Sequence, residues 1–175
     1  MGGALSASTV AGVLGGCQAG PAAEAWTPQT LSAQQNDLVT TIAELIIPET
    51  DTPGARAARV NTFVDKMLTE WYKADERAHF LSGLADVDAR AQDVIGKAFM
   101  EGTAEEQTAV LQAMEQDAME QDATPLPPFF HTMKELTLVG YYTSEIGATQ
   151  ELQWLAAPGR YDGCAPLEEV GRTWA

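Results

Sequence analysis

Apolar side chains recur at intervals of three and four residues along most of this chain, and that spacing constrains its fold more than any other feature. Three to four residues is the period of an α-helix, whereas a half-buried strand alternates every second residue, and no segment does so convincingly. The sequence therefore predicts an all-α fold, a single bundle of about five helices with an irregular C-terminal tail. The predicted core positions are Leu38, Ile42, Leu45, Ile46, Phe63, Met67, Trp71, Phe80, Leu84, Val87, Ala91, Val94, Ile95, Phe99, Val110, Leu111, Met114, Phe129, Met133, Leu136, Val139 and Gly140.

Three of the predicted helices have a recognisable beginning. Ser32 with Gln35, and Thr103 with Glu106, have the spacing of a capping box, in which each side chain accepts a hydrogen bond from the other residue's backbone. Pro128 is predicted to be the first residue of the last long helix, because a proline has no N–H to leave unpaired there.

Prolines and glycines also predict where helices end. Pro48 closes the first helix, since proline cannot continue one. In the long third pattern, from Ala74 to Phe99, Gly83 and Gly96 predict breaks. Gly147 is the expected C-cap of the last long helix.

The pentapeptide AMEQD occurs twice in tandem, at 113–117 and 118–122. The duplication adds charge without a periodic apolar pattern. We therefore expect it to extend a helix end or a loop into solvent.

The chain is strongly acidic, with 25 Asp and Glu residues against 10 Lys and Arg and a formal charge of −15. This excess repels phosphate backbones and anionic membranes, which argues against nucleic-acid binding. It suits a solvated acidic surface, or docking to a basic partner. Because no apolar run is long enough to cross a bilayer, any attachment to a membrane must come through lipid or a partner.

Residues 1–17 have the small, weakly apolar composition of an export signal and end in LGGC, the spacing of a lipoprotein cleavage box. Cys17 is thus the predicted site of cleavage or lipidation. A signal needs a basic start, yet the first basic residue is Arg56, so we expect that start to lie upstream. The low hydrophobicity favours the twin-arginine route. The alternative is a disordered Gly/Ala-rich N-terminus.

The rest of the chain divides into three predicted segments. Residues 18–29 form a Pro/Ala/Gly linker, and residues 30–148 form the helical domain. Residues 149–175 form an irregular tail in which helical periodicity is lost. This tail is the predicted partner-docking segment.

The two cysteines, Cys17 and Cys164, allow several states. If Cys17 carries lipid, Cys164 is left odd, and an odd cysteine in an exported protein predicts an intermolecular disulfide or a free thiol. The alternatives are a bridge between the two cysteines, or a buried and unpaired Cys164.

Large aromatic side chains cluster at and beyond the end of the last long helix, and we predict them to be a partner interface. They are Tyr141, Tyr142, Trp154, Tyr161 and Trp174. The alternative is that they fold back onto the bundle itself.

The sequence contains no catalytic constellation that we can identify. Glu76 and His79 have the Glu-x-x-His spacing of a di-iron ligand pair, but such a site needs that motif twice and two more glutamates. His131 has Pro128 three residues before it instead of a glutamate. A small metal-binding bundle built on Glu76 and His79 is therefore a minor alternative.

Several stretches resemble the gluconate 2-dehydrogenase subunit 3 family. They are ELIIPETDTPGA at 44–55, FVDKMLTEWY at 63–72, PFFHTMKELTLVGYYTSEIG at 128–147, Trp154, and GCAP at 163–166. The PETDTPGA turn and the GYYTSEIG element are the most specific parts. The twin arginine is absent here, and the AMEQD duplication looks like an insertion.

The resemblance implies a non-catalytic small subunit of a periplasmic, flavin-dependent sugar, gluconate or polyol dehydrogenase. Its expected partner is a large flavoprotein of the glucose–methanol–choline type that holds FAD, with haem c in a multihaem cytochrome where a third subunit is present. No cofactor is expected in this chain. Such subunits carry the twin-arginine signal that exports the pair. The competing hypothesis is a stand-alone lipoprotein anchored through Cys17.

Overall fold

The computed structural model describes residues 26–120, 125–157, 159 and 162–175. Within these ranges the chain has five long helices and no strand, which confirms the all-α prediction. The helices are α1 (Ala33–Ile46), α2 (Val60–Glu70), α3 (Ala74–Ile95), α4 (Ala104–Glu120) and α5 (Phe129–Tyr142). Shorter pieces are a 3₁₀ turn (Phe99–Glu101), one turn of π-helix (Gly147–Glu151) and α6 (Leu167–Val170). The predicted signal, Cys17 and Tyr161 lie outside the described residues.

Local hydrogen bonds fix several helix ends where the sequence predicts them. The Ser32 hydroxyl accepts from the Gln35 N–H at 3.2 Å, and the Gln35 side chain accepts from the Ser32 N–H at 2.9 Å. Thr103 and Glu106 make the same reciprocal pair before α4. Gly96 ends α3 in the left-handed conformation with φ 72°, which glycine adopts without strain.

Two glycines have roles that differ from the predicted ones. α3 continues through Gly83 without a break. The glycine leaves room for Phe129 of α5 instead, since an added Cβ would lie 2.3 Å from Phe129 Cβ. Gly147 does not cap α5 with positive φ. It allows a close backbone approach instead, since an added Cβ would lie 2.0 Å from the Tyr141 carbonyl oxygen.

The boundaries around α3 and α5 also differ slightly from the predicted ones. α3 ends at Ile95, and Phe99 is buried from a separate 3₁₀ turn. Its N–H donates to Asp88 at 2.9 Å, and its carbonyl accepts from Gln107 at 2.9 Å. Pro128 immediately precedes α5 and is not its first residue.

Helix α5 lies at the centre of the bundle and contacts each of α1 to α4. Its central position explains why it buries residues on most of its circumference. The Phe80 and Phe129 ring centroids are 5.1 Å apart and join α3 to α5. Fully or almost fully buried apolar residues come from every long helix, among them Val39, Ile42, Val64, Leu68, Leu84, Val87, Val110, Met133 and Leu136.

Three predicted core residues are exposed, and for these the prediction is wrong. Trp71 follows the last residue of α2 and is 71% exposed. Val94 and Val139 are also exposed. Val94 lies three residues after the buried Ala91, and Val139 lies three residues after the buried Leu136. Three residues turn an α-helix by about 300°, so such positions fall at the edge of the core stripe.

The AMEQD duplication extends the end of α4 with exposed residues, as predicted, but it does not lie entirely in solvent. α4 continues through the first copy, at 113–117, to Glu120, and Ala118 at the start of the second copy is buried. The Asp117 carboxylate is 2.8 Å from the Arg90 guanidinium, which joins the first copy to α3. Residues 121–124 lie outside the described ranges.

The segment before α1 is held on α2 by Asp65, which is buried. The Asp65 carboxylate accepts three backbone N–H groups, from Gln29 at 2.8 Å, Thr30 at 3.0 Å and Leu31 at 2.8 Å. A buried carboxylate is stable only when its oxygens are hydrogen-bonded, and these donors satisfy it. Thus Gln29, the last residue of the predicted 18–29 linker, contacts the helical domain directly.

Candidate functional site

The turn between α1 and α2, residues 47–59, donates two hydrogen bonds to one carboxylate. Glu44 on α1 accepts the Glu49 N–H at 3.1 Å and the Arg56 N–H at 2.7 Å. Gly54 lies against this carboxylate, where an added Cβ would be 2.6 Å from Glu44 Oε1. The PETDTPGA sequence therefore has a defined conformation at this end of the bundle.

Tyr141 joins that turn to the end of α5. Its ring is 1% exposed, and its hydroxyl donates to the Pro53 carbonyl oxygen at 2.8 Å. Burial raises the pKa of Tyr141 above its usual value. A hydrogen bond with Thr52 lowers this pKa, and the nearby Glu151 and Glu44 carboxylates raise it. The predicted partner-interface role of Tyr141 is corrected, because its ring belongs to the core of this chain.

The π-helical turn connects the same turn to the C-terminal segment. The Thr52 hydroxyl donates to Glu151 Oε2 at 2.5 Å. Ser144 supports the start of the π-turn, since its hydroxyl oxygen accepts from the Gly147 N–H at 3.0 Å. Glu44 and Glu151 both serve as hydrogen-bond acceptors for other parts of the chain, which is a structural use of these carboxylates.

We call residues 153–175 the C-terminal loop, because the described residues at their two ends are joined to each other. The Gln153 N–H donates to the Thr173 carbonyl at 2.8 Å, and the Ala175 N–H donates to the Gln153 carbonyl at 3.0 Å. These bonds form a parallel bridge between Gln153 and Trp174. The Arg172 guanidinium donates to the Gln150 carbonyl. The loop is therefore closed at its base and tied to the π-turn.

Large apolar side chains on this loop point to solvent. Trp154 is 60% exposed and Trp174 is 43% exposed. Leu155 and Leu167 are exposed as well, although the sequence offered no periodic signal for either. Tyr142, at the end of α5, is also exposed. Of the predicted aromatic interface residues, Tyr142, Trp154 and Trp174 are thus accessible in this chain.

Cys164 lies exposed on the same loop, as a free thiol with no disulfide partner in the described part of the chain. Its N–H donates to the Asp162 carboxylate at 3.2 Å. The exposed thiol and the exposed tryptophans of this loop are accessible to another polypeptide.

The residues of the minor metal hypothesis have other partners. The Glu76 carboxylate accepts the Lys73 N–H at 2.9 Å as part of the α3 cap, and His79 Nε2 donates to the Pro127 carbonyl oxygen at 3.0 Å. Across the described ranges, no three His, Cys, Asp or Glu side chains are grouped so as to hold a metal ion. No described helix is long and apolar enough to span a membrane.

The two most specific stretches of the sequence meet in space at this end of the bundle. PETDTPGA supplies Thr52 and Pro53, while GYYTSEIG supplies Tyr141 and leads into Glu151. The sequence profile described as gluconate 2-dehydrogenase subunit 3 matches residues 33–159, which is more than half of the chain. The chain belongs to this family. No curated protein and no solved structure matches it.

The profile of the gluconate 2-dehydrogenase subunit 3 family covers α1 to α5, the π-turn and the beginning of the C-terminal loop. The match includes the Tyr141–Pro53 and Thr52–Glu151 contacts that support the loop. Most of the loop itself, with Cys164 and Trp174, lies after the matched region. The family is named for a subunit of a dehydrogenase, and the chain is a member of it.

Proposed function

We propose that this chain is the non-catalytic small subunit of an exported, flavin-dependent dehydrogenase of sugars, gluconate or polyols. The observation that carries the proposal is the family match over a bundle whose C-terminal loop exposes two tryptophans. Exposed tryptophans are costly to leave in water and are frequent hot spots of protein interfaces. A subunit that stabilises a larger partner needs such a surface.

The proposed partner is a large flavoprotein of the glucose–methanol–choline type, which holds the FAD and performs the oxidation. A multihaem cytochrome c is the third subunit in complexes that pass the electrons on. In this arrangement the present chain holds no cofactor. Its part is to bind the flavoprotein and keep it folded.

The C-terminal loop is the proposed docking element. Because the Gln153–Trp174 bridge already closes it, the loop loses less conformational freedom on binding than an open tail of the same length. Trp154 and Trp174 are its proposed anchors, and the exposed Tyr142 at the end of α5 is a further candidate contact. A disulfide from Cys164 to the partner would make the remaining contacts intramolecular and so strengthen them.

The proposed location is the periplasm, with any membrane contact made through the partner or through lipid. The signal-like residues 1–17 motivate this part of the proposal, and the twin-arginine route fits a pair that folds before export. In this scheme the small subunit provides the signal for both chains. Cleavage or lipidation occurs at Cys17.

The decisive experiment is purification of the native complex from host cells, together with the isolated chain. The isolated chain should contain no flavin and oxidise no sugar with an artificial acceptor, while the complex should do both. Flavin absorbance and dye reduction measure these properties. A dehydrogenase activity of the isolated chain, or a native chain without a flavoprotein partner, contradicts the proposal.

Docking through the loop is tested with two matched tryptophan variants. Trp154→Ala should weaken the complex by roughly 2–4 kcal/mol, the usual cost of removing a hot-spot side chain. Trp71→Ala is the control, because Trp71 is similarly exposed but lies at the end of α2. Equal effects of the two variants would contradict docking through the loop.

The disulfide is tested separately, by non-reducing electrophoresis of the complex. A band at the summed mass should collapse on reduction and be absent in Cys164→Ser. If wild-type subunits separate without reductant, the proposed link at Cys164 is wrong, although docking by the loop still stands.

A further inference from the structure

An open groove of about 680 Å³ runs along α2 and over the C-terminal end of α5, beside the root of the C-terminal loop. Trp26 lines it on the side of the N-terminal segment, and Thr143 lines it on the side of α5. Phe63 and Gly140 belong to its apolar part. The two are tightly packed, since a Cβ added at Gly140 would lie 2.7 Å from Phe63 Cδ1.

Two cations line this groove without a partner, in a chain that has an excess of acids. Arg59 and Lys66 form no ion pair within the described ranges, although the chain has 25 acidic residues. Three other cations do form ion pairs with α4 residues: Arg90, Lys97 and Lys134. Neither acidic residue of the groove forms an ion pair with these cations in the described ranges: the Asp65 carboxylate accepts three backbone N–H groups, and Glu70 has no ion-pair partner.

The backbone at Arg59 is a second, independent peculiarity of the groove. Arg59 has φ 55° and ψ 40°, the left-handed conformation, and no other described non-glycine residue has positive φ. Glycine would adopt these angles with less strain. Strained residues of this kind are enriched where a protein contacts its ligands, so the arginine side chain is a candidate contact.

We propose that this groove binds an acidic segment of the catalytic subunit, an inference that rests on the function proposed above. A carboxylate of that segment lies against Arg59 and Lys66, and an adjacent apolar side chain packs on Phe63 and Gly140. The groove is open to solvent, whereas small-molecule sites enclose most of their ligand, so a polypeptide segment fits it better.

The position of the groove allows one partner to reach both it and the C-terminal loop. Ser144 lines the groove, and its hydroxyl oxygen also accepts from the Gly147 N–H at the root of that loop. The groove supplies a charged contact and the loop an apolar one. Together they would fix the orientation of the partner, since charged pairs set specificity more than affinity.

Two lysines that differ in position but not in chemistry test the charged contact. Lys66 and Lys73 are both exposed and unpaired in the described structure, yet Lys73 does not line the groove. Under reducing conditions, Lys66→Glu should raise the dissociation constant of the purified subunits about tenfold and reduce its salt dependence. Lys73→Glu, with the same change in net charge, should leave it unchanged. Equal effects of the two variants overturn the proposal.

Arg59→Gly separates a binding role from a structural one. This substitution removes the charge and relieves the backbone strain together. The isolated chain should therefore unfold at a higher urea concentration, while the complex becomes about tenfold weaker. If complex stability and chain stability change in the same direction, Arg59 serves the fold alone and the proposal is wrong.

A photo-crosslinking residue at Thr143, on the edge of the groove, identifies the occupant in the native complex. A crosslink to a flavoprotein peptide that contains Asp or Glu supports the proposal. A crosslink to residues 1–25 of this chain, or to a second copy of it, overturns it. If a flavoprotein co-purifies but never crosslinks there, only this inference fails. If none co-purifies, the proposed function fails with it.

Discussion

The aromatic residues of the helical bundle and those of the C-terminal loop have opposite environments. Phe80, Phe129 and Tyr141 are almost completely buried, whereas Trp154 and Trp174 are 60% and 43% exposed. Burying a large aromatic side chain contributes roughly 1.5–3 kcal/mol, so the bundle is stabilised by its own aromatic residues. The loop gains little from its tryptophans in the isolated chain. The bundle thus buries its aromatic residues, whereas the loop leaves exposed the two tryptophans that we propose as docking anchors.

Polar groups follow the same division. In the bundle, buried carboxylates such as Asp65 and partly buried ones such as Glu44 accept backbone N–H groups and hold irregular segments. In the loop, the acidic residues Glu168 and Glu169 are exposed. If this comparison is right, matched substitutions in the two regions should have very different effects on the stability of the isolated chain.

The largest difference is expected for truncation of an aromatic side chain. Phe129→Ala should lower the free energy of unfolding by about 3–5 kcal/mol, because it leaves a cavity against Phe80 and Gly83. Trp154→Ala should change it by less than about 0.5 kcal/mol. Urea denaturation of both variants measures these values. A loss above 1 kcal/mol or so for Trp154→Ala would mean that the loop stabilises the bundle.

Glycine substitutions sharpen the comparison. Gly83→Ala should cost about 3 kcal/mol, because its Cβ would overlap Phe129 Cβ in the core. Gly159→Ala meets no atom within 4 Å, and its cost is limited to about 1 kcal/mol for φ 80°. Thermal unfolding compares the two. A larger loss at Gly159 would place the stable part of the molecule in the loop, against our interpretation.

Loss of a negative charge should matter only where the carboxylate is buried. Asp65→Asn should destabilise by about 2 kcal/mol, since the amide nitrogen would face one of three N–H donors. Glu168→Gln on the loop should change stability by a few tenths of a kcal/mol at most. Urea midpoints at neutral pH test this pair. Similar midpoints for both variants would show that Asp65 is dispensable as an acceptor.

The Tyr141 hydroxyl should have a smaller but measurable effect. Tyr141→Phe should lower stability by about 1 kcal/mol, because the Pro53 carbonyl loses its donor. Tyr142→Phe is the control on the exposed side of α5 and should be neutral within about 0.5 kcal/mol. Each variant removes one tyrosine hydroxyl group, so an equal loss of stability in both would exclude the Tyr141–Pro53 hydrogen bond as the cause.

The smallest expected effect is on stability at high pH. The pKa values of Tyr141 and Tyr72 are raised in the folded chain, in each case first by burial and then by nearby carboxylates. The unfolded state therefore loses these protons first. The folded state's preference for the neutral hydroxyls therefore stabilises the chain fully below about pH 10, the ordinary tyrosine pKa. This contribution declines as pH rises from there towards the pKa of the folded state. Urea midpoints measured across that range should fall less in Tyr141→Phe than in wild type; equal declines would contradict a role for Tyr141.

Features that depend on neighbouring residues could be predicted from the sequence. The capping pairs Ser32–Gln35 and Thr103–Glu106 join residues three apart, and Gly96 needs only its own backbone angles. The loss of helical periodicity after Gly147 predicted an irregular C-terminal segment, whereas the exposure of its tryptophans was left open by the sequence. The unpaired cations of the groove were missed. Their signal was available, because Arg56, Arg59 and Lys66 are the first basic residues of the chain and are close together.

By itself, then, the sequence determined the helices, most of their ends and the family, because helix period, caps and motifs are local properties of the chain. Only the tertiary structure decided that Gly83 receives Phe129 and that Tyr141 is a core residue bound to Pro53, 88 positions away. It also decided that Arg59 and Lys66 share a groove with Gly140. Burial and charge pairing depend on which distant residues meet, and that is fixed only when the helices pack around α5.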